Sequence, residues 1–449
     1  METQAMLQAV EEAGKVKLGA FDIDAVLRGK YVSAAKFRSA LEKGLGFCDV
    51  VFGWDMADQL YDNVTYTGWH TGYPDAWARV EPSTFRRIPW EQGTPFVLLD
   101  FYEASGEPLA VSPRQALRRV VERARGMGYE VKAGFEFEFF FFQEDHHTLH
   151  EAEFRDLVPL SYGMFGYSAT RTSRDQGLVH QLFDELRAFD VGLEGFHTET
   201  GPGVYEAAIA CDEAVAAADK AALFKQAVKE IAAQHGCTAT FMAKPDAKLP
   251  GCSGHVHQSL ADAAGKNLFA GEEGGLSPLA RSYVAGQVRY MPELTALFAP
   301  TINSYKRLVP GAWAPTHASW GLENRTCALR AITGPSAKSV RVEYRAAGAD
   351  QNPYLALCAG VISGLAGIGE GLEPPPPVTG NAYELSTQQA PRLPSNLGAA
   401  AEAFAGSALA REWLGEAFVE HYANTRRWEV REFEKAVTDW ELRRYLEVI

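Results

Sequence analysis

The segment GFEFEFFFF, residues 134–142, constrains the fold of this chain more than any other stretch. Its aromatic composition is typical of a β-strand, and successive side chains on a strand point to opposite faces. This alternation places Phe135 and Phe137 on one face and Glu136 and Glu138 on the other. Two neighbouring carboxylates repel each other unless a cation lies between them. The segment therefore predicts a sheet with a buried aromatic face, whose opposite face is either a cation site or an exposed edge.

Composition and charge exclude several classes of protein. The 449 residues are 47% hydrophobic and 22% charged, which is ordinary for a soluble globular protein. The net charge of -14 argues against a nucleic-acid partner, which would require a basic surface. The six cysteines form no CxxC pair, and the N-terminus has no secretory signal pattern. The apolar segment 354–369 is short for a membrane span, so we expect a cytoplasmic protein with no membrane partner.

The order of the predicted elements indicates an α+β protein with two domains. Two strands around a turn are expected in residues 16–37, and a hydrophobic strand is expected near residues 96–102. Ser112 and Pro113 are typical of a helix start, with Ser112 as the N-cap. Beyond them, strands with polar motifs alternate with long helices such as Asp212–Gln234, for which we expect Asp212 to be the N-cap. We place the domain boundary near residue 108.

A cluster of arginines near the C-terminus indicates an anion-binding function. Arg325, Arg330, Arg341, Glu343 and Arg345 lie within 21 residues. Guanidinium groups bind carboxylates and phosphates through a planar fork of donors that stays charged at any working pH. The last three of these residues share one face if RVEYR is a strand. A salt-bridge ladder on a solvated surface is the alternative.

Two further motifs supply carboxylates and imidazoles. HTETGPGVYE brings Glu199 and Glu206 to either side of a turn, unless it is simply a solvated loop, and PGCSGHVHQSL puts His255 and His257 on one strand face. With Glu343 and the two glutamates of residues 134–142, the chain offers five carboxylates, which suit Mg²⁺ or Mn²⁺ better than zinc. Metal ions beside arginines are the groups that catalyse phosphoryl transfer. The sequence contains neither a Walker A pattern nor GxGxxG.

In order and wording, these motifs resemble the glutamine synthetase family. The resemblance covers most of residues 130–360, and the N-terminal part is similar to the small β-grasp domain of that family. It implies an α+β fold with an N-terminal β-grasp domain, residues 1–108, and a catalytic domain, residues 109–449, whose antiparallel sheet is flanked by helices. The matching segments are GFEFEFFFF, HTETGPGVYE, FMAKPDAKLPGCSGHVHQSL, NSYKRLVPGAWAPTHASWGLENRTCALR and VRVEYRAAGADQNPYLAL.

The resemblance also implies roles for individual residues. One Mg²⁺ or Mn²⁺ would be bound by Glu138, Glu199 and Glu206, and a second, bridging the phosphates of ATP, by Glu136, His255 and Glu343. The residues around the glutamate carboxylates and the γ-phosphate would be His257, Arg307, Arg325 and Arg345. The nucleotide side would comprise Arg330, Arg341, Ser259, Lys338 and Glu194. The implied reaction is phosphorylation of the glutamate γ-carboxylate by ATP, followed by attack of an amine. The implied assembly is a homododecamer of two hexameric rings, with each active site shared between neighbours.

Departures from the family pattern restrict which amine the second substrate could be. Trp313 stands where ammonia-using members have the glutamate that accepts a proton from ammonium, and Cys48 stands near their ammonium-binding aspartate, with Asp49 one residue away. Pro250 replaces an asparagine that contacts substrate glutamate, and Gly251 follows it on the substrate side. These changes resemble the branch of γ-glutamylpolyamine synthetases and other glutamate–amine ligases.

The aromatic wall of the amine site is a further expectation. A tryptophan suits a larger, partly apolar amine, which would be held by packing or a cation–π contact. Aromatic residues of the N-terminal part would either line the same entrance or pack a subunit interface; they are Trp54, Tyr61, Tyr66 and Trp69. The group that would deprotonate the amine stays open between three candidates, Asp49, Asp55 and Glu323.

Two alternative functions were weighed against an amine ligase. An ammonia-dependent glutamine synthetase would need Asp49 or another acid to replace the missing groups. A catalytically silent structural or regulatory member of the family is disfavoured because all six metal-ligand positions are present. Tyr383 lies roughly where some bacterial glutamine synthetases are adenylylated, but the surrounding pattern is missing, so we predict no such modification.

Overall fold

The first part of the chain forms a mixed sheet with two helices. The computed structural model describes residues 3–271 and 274–449. In sheet order the strands run β2-β1-β6-β4-β3, with β5 paired to β6, and β1 is parallel to β6 whereas the other pairs are antiparallel. The strands are β1 (Lys15–Phe21), β2 (Leu27–Ser33), β3 (Leu45–Cys48), β4 (Asp75–Val80), β5 (Arg86–Ile88) and β6 (Thr94–Tyr102).

A second, larger sheet carries most of the polar motifs. Its order is β13-β14-β15-β12-β7-β9-β8, and β10 and β11 also pair with β7. The pairs are antiparallel except for β13 with β14, so the predicted antiparallel catalytic sheet is confirmed with one parallel edge pair. The strands are β7 (Glu130–Phe142), β8 (Leu193–Thr198), β9 (Val204–Ile209), β10 (Asp212–Glu213), β11 (Thr238–Thr240), β12 (Gly254–Ala261), β13 (Trp320–Leu322), β14 (Leu329–Ile332) and β15 (Arg341–Tyr344).

The helices flank both sheets. They are α1 (Thr3–Ala13), α2 (Ala34–Lys43), α3 (Pro113–Gly126), α4 (His146–Glu151), α5 (Ala169–Arg174), α6 (Gln176–Ala188), α7 (Ala214–Gln234), α8 (Pro278–Leu294), α9 (Ser304–Arg307), α10 (Pro353–Gly369), α11 (Leu397–Gly406), α12 (Ala408–Leu414), α13 (Glu416–Glu434) and α14 (Asp439–Tyr445). Within the described ranges, every helix is too short or too polar to cross a membrane.

Two predicted helix starts have different outcomes. Ser112 caps α3 by accepting a hydrogen bond from the Gln115 amide, as predicted. Asp212, the predicted cap of α7, instead belongs to β10, whose backbone pairs with Ala133 and Lys132 of β7. The prediction of this cap was wrong because strand pairing holds the backbone of Asp212 two residues before the helix begins.

The aromatic face of β7 is the centre of the main core. Phe135, Phe137 and Phe139 are buried, and Phe137 stacks on Phe224 of α7 with ring centroids 6.0 Å apart. Phe139 stacks on Phe241 at 4.9 Å. Since one face of the strand is committed to this core, the glutamates between the phenylalanines must project from the opposite face.

Buried ion pairs join the two sheets. Arg114 of α3 donates to Asp219 of α7 through two nitrogens at 2.8 Å, and it also donates to Asp100 of β6. Tyr354 donates its hydroxyl proton to Asp219 at 2.6 Å. These contacts fasten the first sheet to the catalytic part. The domain boundary near residue 108 and the β-grasp assignment stay predictions.

Candidate active site

The register of the large sheet brings separate motifs face to face. The strand β7 lies between β12 and β9, and β15 lies on the far side of β12. Cross-strand neighbours on one face lie close enough for their side chains to interact. The paired positions are His255 with Glu136, Glu206 with Glu138, His197 with Glu206, and His257 with Glu343. Four distant sequence motifs therefore meet on one polar surface.

Three residues predicted for one metal converge as expected. His255 Nδ1 lies 3.4 Å from Glu136 Oε2 and 3.3 Å from Glu343 Oε1. One ligand atom from each of the three lies within 4.8 Å of the other two. Burial raises the pKa of Glu343, but the charges of His255 and Arg345 outweigh it and lower the pKa to about 2. The group therefore presents two ionised carboxylates and an imidazole to one point.

The second cluster contains a residue that the sequence analysis missed. His197 Nε2 lies 3.4 Å from both Glu199 Oε1 and Glu206 Oε2. The ring stacks on Tyr167 at 4.2 Å, and its Nε2 is buried without a hydrogen-bond partner among the described residues. Burial lowers the pKa of His197, but the two carboxylates outweigh it and raise the pKa to about 9. The signal was available, since His197 near the end of β8 and Glu199 just after that strand have the same two-residue spacing as Glu136 and Glu138 on β7.

Glu138, predicted for this second cluster, lies beside it. Its Oε2 accepts a hydrogen bond of 2.6 Å from the Ser253 amide, and it stands opposite Glu206. Burial raises the pKa of Glu138, His255 lowers it, and the Glu206 charge raises it again, so the net shift is upward. A cation between Glu138 and Glu206 would reverse this shift.

The donor set fits two hard divalent cations. Five carboxylates share one face with the imidazoles of His197 and His255, each of which has a buried nitrogen without a hydrogen-bond partner in the described part of the chain. Carboxylate oxygens with few nitrogen donors suit Mg²⁺ or Mn²⁺. Like charges packed this closely are unfavourable unless cations neutralise them.

The predicted arginines occupy three different environments. Arg307 is buried and donates to Ser253 Oγ at 2.8 Å and to the Ala346 carbonyl at 3.0 Å. Arg345 is also buried, and it donates to Glu343 at 2.5 Å and to the Arg325 carbonyl at 3.0 Å. Arg325 itself is exposed. Arg345 thus joins a predicted metal ligand to the backbone of the loop that carries Arg325.

Gly251 lies against Arg307. A Cβ at Gly251 would lie 2.8 Å from Arg307 Cγ and 2.7 Å from the Ala243 carbonyl oxygen, so only glycine fits. Pro250, which precedes it, approaches Gly201 of the Glu199–Glu206 turn. The predicted substrate-side turn therefore packs between Arg307 and the turn that carries the second cluster.

A cavity of about 320 Å³ adjoins the first cluster. Four of the five predicted nucleotide residues line it: Glu194, Ser259, Lys338 and Arg341. Glu136 and His257 reach the same cavity, and His257 Nε2 lies 3.2 Å from Glu136 Oε1. Lys132 and Cys211 also line it and were not predicted. Arg330 instead donates to Glu343 at 3.2 Å and to Glu323 at 2.9 Å.

Trp313, predicted to contact the amine, is an exposed residue. Its side chain is 69% exposed, and its backbone has a φ of 54°, which is uncommon for a residue with a side chain. Its ring meets Tyr383 edge to face, with centroids 6.4 Å apart. An aromatic surface is therefore available on the loop where ammonia-using relatives would carry an acid.

Asp49 and Trp54 lie in the N-terminal part of the chain. Asp49 lines a cavity of about 660 Å³ with Tyr66 and Asp75, and the Trp54 ring lies 5.0 Å from the Arg28 guanidinium. Among the described residues, no hydrogen bond or ion pair joins either one to the two clusters. Of the other predicted entrance aromatics, Tyr61 is buried against Trp428 and Trp69 is 81% exposed.

Two of the three candidate bases are engaged in structural contacts. The carboxylate of Asp55 caps a turn by accepting hydrogen bonds from the amides of residues 57 and 59. Burial raises the pKa of Glu323, but the Thr333 amide and Arg330 outweigh it, so the net pKa is lowered. Burial raises the pKa of Asp49, so its carboxylate binds a proton more readily than an ordinary aspartate does.

Comparison with known proteins agrees with this geometry. Residues 110–445 match the family model described as the glutamine synthetase catalytic domain. The chain is 50% identical to type-1 glutamine synthetase 2 of Dictyostelium discoideum, over 97% of this chain and 84% of that protein. It is 42% identical to the glutamate–isopropylamine ligase of a Pseudomonas species, over 97% of this chain and 95% of that protein. It is 40% identical to the gamma-glutamylethanolamide synthetase GlnA4 of Streptomyces coelicolor, over 98% of this chain and 94% of that protein.

Solved structures are similar over almost the whole chain. A GmaS/ADP complex superposes with a TM-score of 0.85 at 29% identity, covering 98% of this chain and 99% of that one. The fold and the polar sheet face define an enzyme that forms carbon–nitrogen bonds at an acidic, arginine-rich centre. The chain belongs to the glutamine synthetase family, and its relatives include members of the glutamate–amine ligase branch.

Proposed function

We propose that this protein is an ATP-dependent ligase that joins the γ-carboxyl group of glutamate to an organic primary amine. The observation that carries the proposal is the convergence of two acidic clusters on one sheet face. Trp313 supports it as an exposed aromatic where the family resemblance implies an acid in ammonia-using members. Two relatives that this chain matches over more than nine tenths of their length support it. One is named as a glutamate–isopropylamine ligase and the other as a gamma-glutamylethanolamide synthetase.

The two acidic clusters would hold Mg²⁺ or Mn²⁺. The cluster of Glu136, His255 and Glu343 adjoins the 320 Å³ cavity and would serve the nucleotide phosphates, while His197, Glu199 and Glu206, with Glu138, would hold the other ion. When bound, these ions neutralise charge that develops on phosphate and carboxylate oxygens.

The protein's own side chains would position and neutralise the substrates. Lys338, Arg341 and Ser259 offer donors to the nucleotide in the cavity. Arg325 is exposed, and its backbone carbonyl accepts a hydrogen bond from Arg345; a free guanidinium on this loop suits contact with a substrate carboxylate or the transferred phosphoryl group. Activation as an acyl phosphate is needed because a carboxylate is a poor electrophile, and charge stabilisation by such groups supplies most of the catalysis in phosphoryl transfer.

The Trp313 loop would select the amine. An indole cannot accept a proton, so ammonium would lose the group that deprotonates it in ammonia-using members. An alkyl or aryl substituent gains contact area against the ring, which favours a larger amine. An alkylamine arrives mostly protonated, since its pKa is near that of lysine, about 10.4. Asp49 of a neighbouring subunit is the acceptor that we propose for this proton.

A shared active site would explain the place of Asp49 and Trp54. Both lie in the N-terminal part, and the cavity beside Asp49 is open to a partner. We propose the family's dodecamer of two hexameric rings in the cytoplasm, with this cavity facing the active site of the next subunit.

A subunit-mixing experiment tests this shared site. Mixing inactive Asp49→Asn subunits with inactive Glu136→Gln subunits should restore part of the activity, because some hybrid sites contain both native residues. Full activity of a monomer in light scattering would contradict the proposal.

Ammonia-dependent glutamine synthesis is the second candidate. It is favoured by the name of the Dictyostelium relative at 50% identity. The test is ADP formation by the purified protein with glutamate and, in turn, ammonia, methylamine, isopropylamine, ethanolamine, putrescine and aniline, with mass spectrometry of the products. An amine product formed at higher kcat/KM than glutamine supports the ligase. Preference for ammonia over every amine would overturn it, while leaving the family chemistry intact.

A further inference from the structure

Trp313 contacts Tyr383, a residue outside the family motifs. Tyr383 lies in the segment 378–384, which follows four consecutive prolines, residues 374–377. Its ring is half-buried, yet its hydroxyl oxygen is fully buried and has no hydrogen-bond partner among the described residues. A buried hydroxyl normally finds a partner, because burying it unpaired is costly. The missing partner points to a bound molecule.

The segment that carries Tyr383 is fastened to the arginine loop. Asn324 donates to the Val378 carbonyl at 3.0 Å and to the Gly380 carbonyl at 2.9 Å. The Ala382 amide donates to Thr326 Oγ1 at 2.9 Å, and Asn381 caps the turn by accepting from the Tyr383 amide at 3.1 Å. Asn324 and Thr326 flank the exposed Arg325. These hydrogen bonds fix the Tyr383 segment to the loop that carries Arg325, and the charges that act on the phenol are those of Arg345 and Arg307.

The phenol offers a hydrogen-bond acceptor among neighbouring groups that can only donate. Burial raises the pKa of Tyr383, and the nearby charges of Arg345 and Arg307 oppose that rise, so the group stays a neutral phenol at working pH. Guanidinium groups have donors only, whereas a phenol oxygen also accepts. An attacking amine needs an acceptor for one of its N–H groups while its lone pair faces the acyl carbon.

We propose that Tyr383 is a positioning and specificity residue for the amine. Its ring and the Trp313 ring, which meet edge to face at 6.4 Å, form an aromatic corner that packs against the carbon substituent of the amine. Its buried hydroxyl oxygen accepts a hydrogen bond from the amine N–H and so orients the nucleophile. This inference rests on the proposed function and adds a second wall to the amine site.

Two substitutions separate the hydroxyl from the ring. Tyr383→Phe keeps the corner and removes the acceptor, so kcat with the best amine should fall roughly tenfold, the effect of one hydrogen bond. The KM values for ATP and glutamate and the ranking of amines should stay unchanged. Tyr383→Ala also removes the wall, so the preference for a bulky amine over ammonia should fall by roughly a further tenfold.

Trp313→Ala should weaken the same preference. The double variant should lose less than the sum of the two single losses, because the rings act as one surface. The matched control is Tyr290→Phe, which removes a hydroxyl on α8 that is bonded to Glu370. It should leave all constants unchanged. Thermal unfolding of each variant checks folding, and glutamate-dependent ADP formation without any amine checks the first step.

Each outcome bears on a different statement. If Tyr383→Phe and Tyr383→Ala both keep the wild-type kcat and amine ranking, the role of Tyr383 is overturned while the amine ligase stands. If the variants lose the amine-independent ADP formation as strongly as the full reaction, Tyr383 serves glutamate activation, which also overturns the proposal. If the wild type prefers ammonia over all amines, the proposed function fails and the amine corner with it.

Discussion

Arg341 Nε donates a hydrogen bond of 3.1 Å to His257 Nδ1. A guanidinium is always a donor, so His257 Nδ1 is the acceptor in this contact. The other ring nitrogen, Nε2, lies 3.2 Å from Glu136 Oε1. One imidazole therefore lies between Arg341, which lines the proposed nucleotide cavity, and a predicted metal ligand.

Replacing this arginine should affect ATP more than glutamate. Arg341→Lys keeps the charge but cannot reproduce the Nε–H that fixes His257. A lost hydrogen bond to a charged group costs about 1.5–3 kcal/mol, so kcat/KM for ATP should fall roughly 10- to 100-fold. The control is Arg125→Lys, whose partner is the exposed Glu130. An unchanged kcat/KM for ATP would refute the role of Arg341.

Removal of divalent cations should abolish turnover. Treatment with EDTA should stop ADP formation, and Mg²⁺ or Mn²⁺ should restore it, because five converging carboxylates cannot bind phosphates without neutralisation. Glu343→Gln should lower kcat by at least about 100-fold even with excess metal, since this carboxylate lies at the centre of the first cluster. Glu130→Gln, at the exposed start of the same strand β7, is the control. Full turnover in EDTA would contradict the assignment of both clusters.

His197 should be required for metal affinity. His197→Ala removes the imidazole that faces Glu199 and Glu206, so the metal concentration for half-maximal activity should rise at least about tenfold. Calorimetric titration with Mn²⁺ provides a readout that is independent of activity. His180→Ala, an exposed histidine on α6, should behave as wild type. An unchanged Mn²⁺ affinity would remove His197 from the site.

The buried network of Arg114 should dominate the stability of the interface between the sheets. Arg114→Leu leaves Asp100 and Asp219 buried without their shared partner, which costs about 3–5 kcal/mol. The midpoint of thermal unfolding should fall clearly. Arg38→Leu breaks an exposed pair with Glu11 and should cost less than about 1 kcal/mol. Equal midpoints for the two variants would show that the network contributes little.

Acid should destabilise the protein partly through His421. Burial and the charge of Arg426 lower its pKa in the folded state from 6.5 to about 3. Between these values the unfolded state binds a proton that the folded state does not, so stability is full above about pH 6.5 and falls as the pH decreases toward 3. His421→Leu should reduce this dependence by up to about 1.4 kcal/mol per pH unit. Chemical unfolding at pH 7 and pH 5 measures the pH dependence of the free energy of unfolding, and His180→Leu is the control. If His421→Leu and the wild type show the same pH dependence, His421 does not contribute to it.

Local periodicity explains which site residues could be predicted. Alternation on β7 alone separates Phe137 from Glu136, because the two faces of a strand follow from backbone geometry. The same rule predicts that His255 and His257 lie on one face of their strand. The grouping of His255 with Glu343 was predicted from the resemblance to the family. Six predicted ligands are in the polar surface for this reason. His197 was missed because its motif was interpreted as a turn that carries two glutamates.

Long-range packing explains what could not be predicted. The cap at Asp212 was wrong because pairing with β7 controls its backbone, and pairing depends on residues 80 positions away. The separation of Arg330 from the cavity depends on its bonds to Glu323 and Glu343.

The sequence by itself determined the α+β class and the family. It also predicted the two sets of acidic ligands and the aromatic replacement at Trp313, because these depend on residue type and on short spacings. Only the tertiary structure brought His197 into a candidate ligand cluster, tied His257 to Arg341, and set Tyr383 against Trp313 with its hydroxyl buried. Such relationships depend on strand register and on loops that meet from distant parts of the chain. No local pattern encodes them, since the free energy that fixes them comes from packing the whole core.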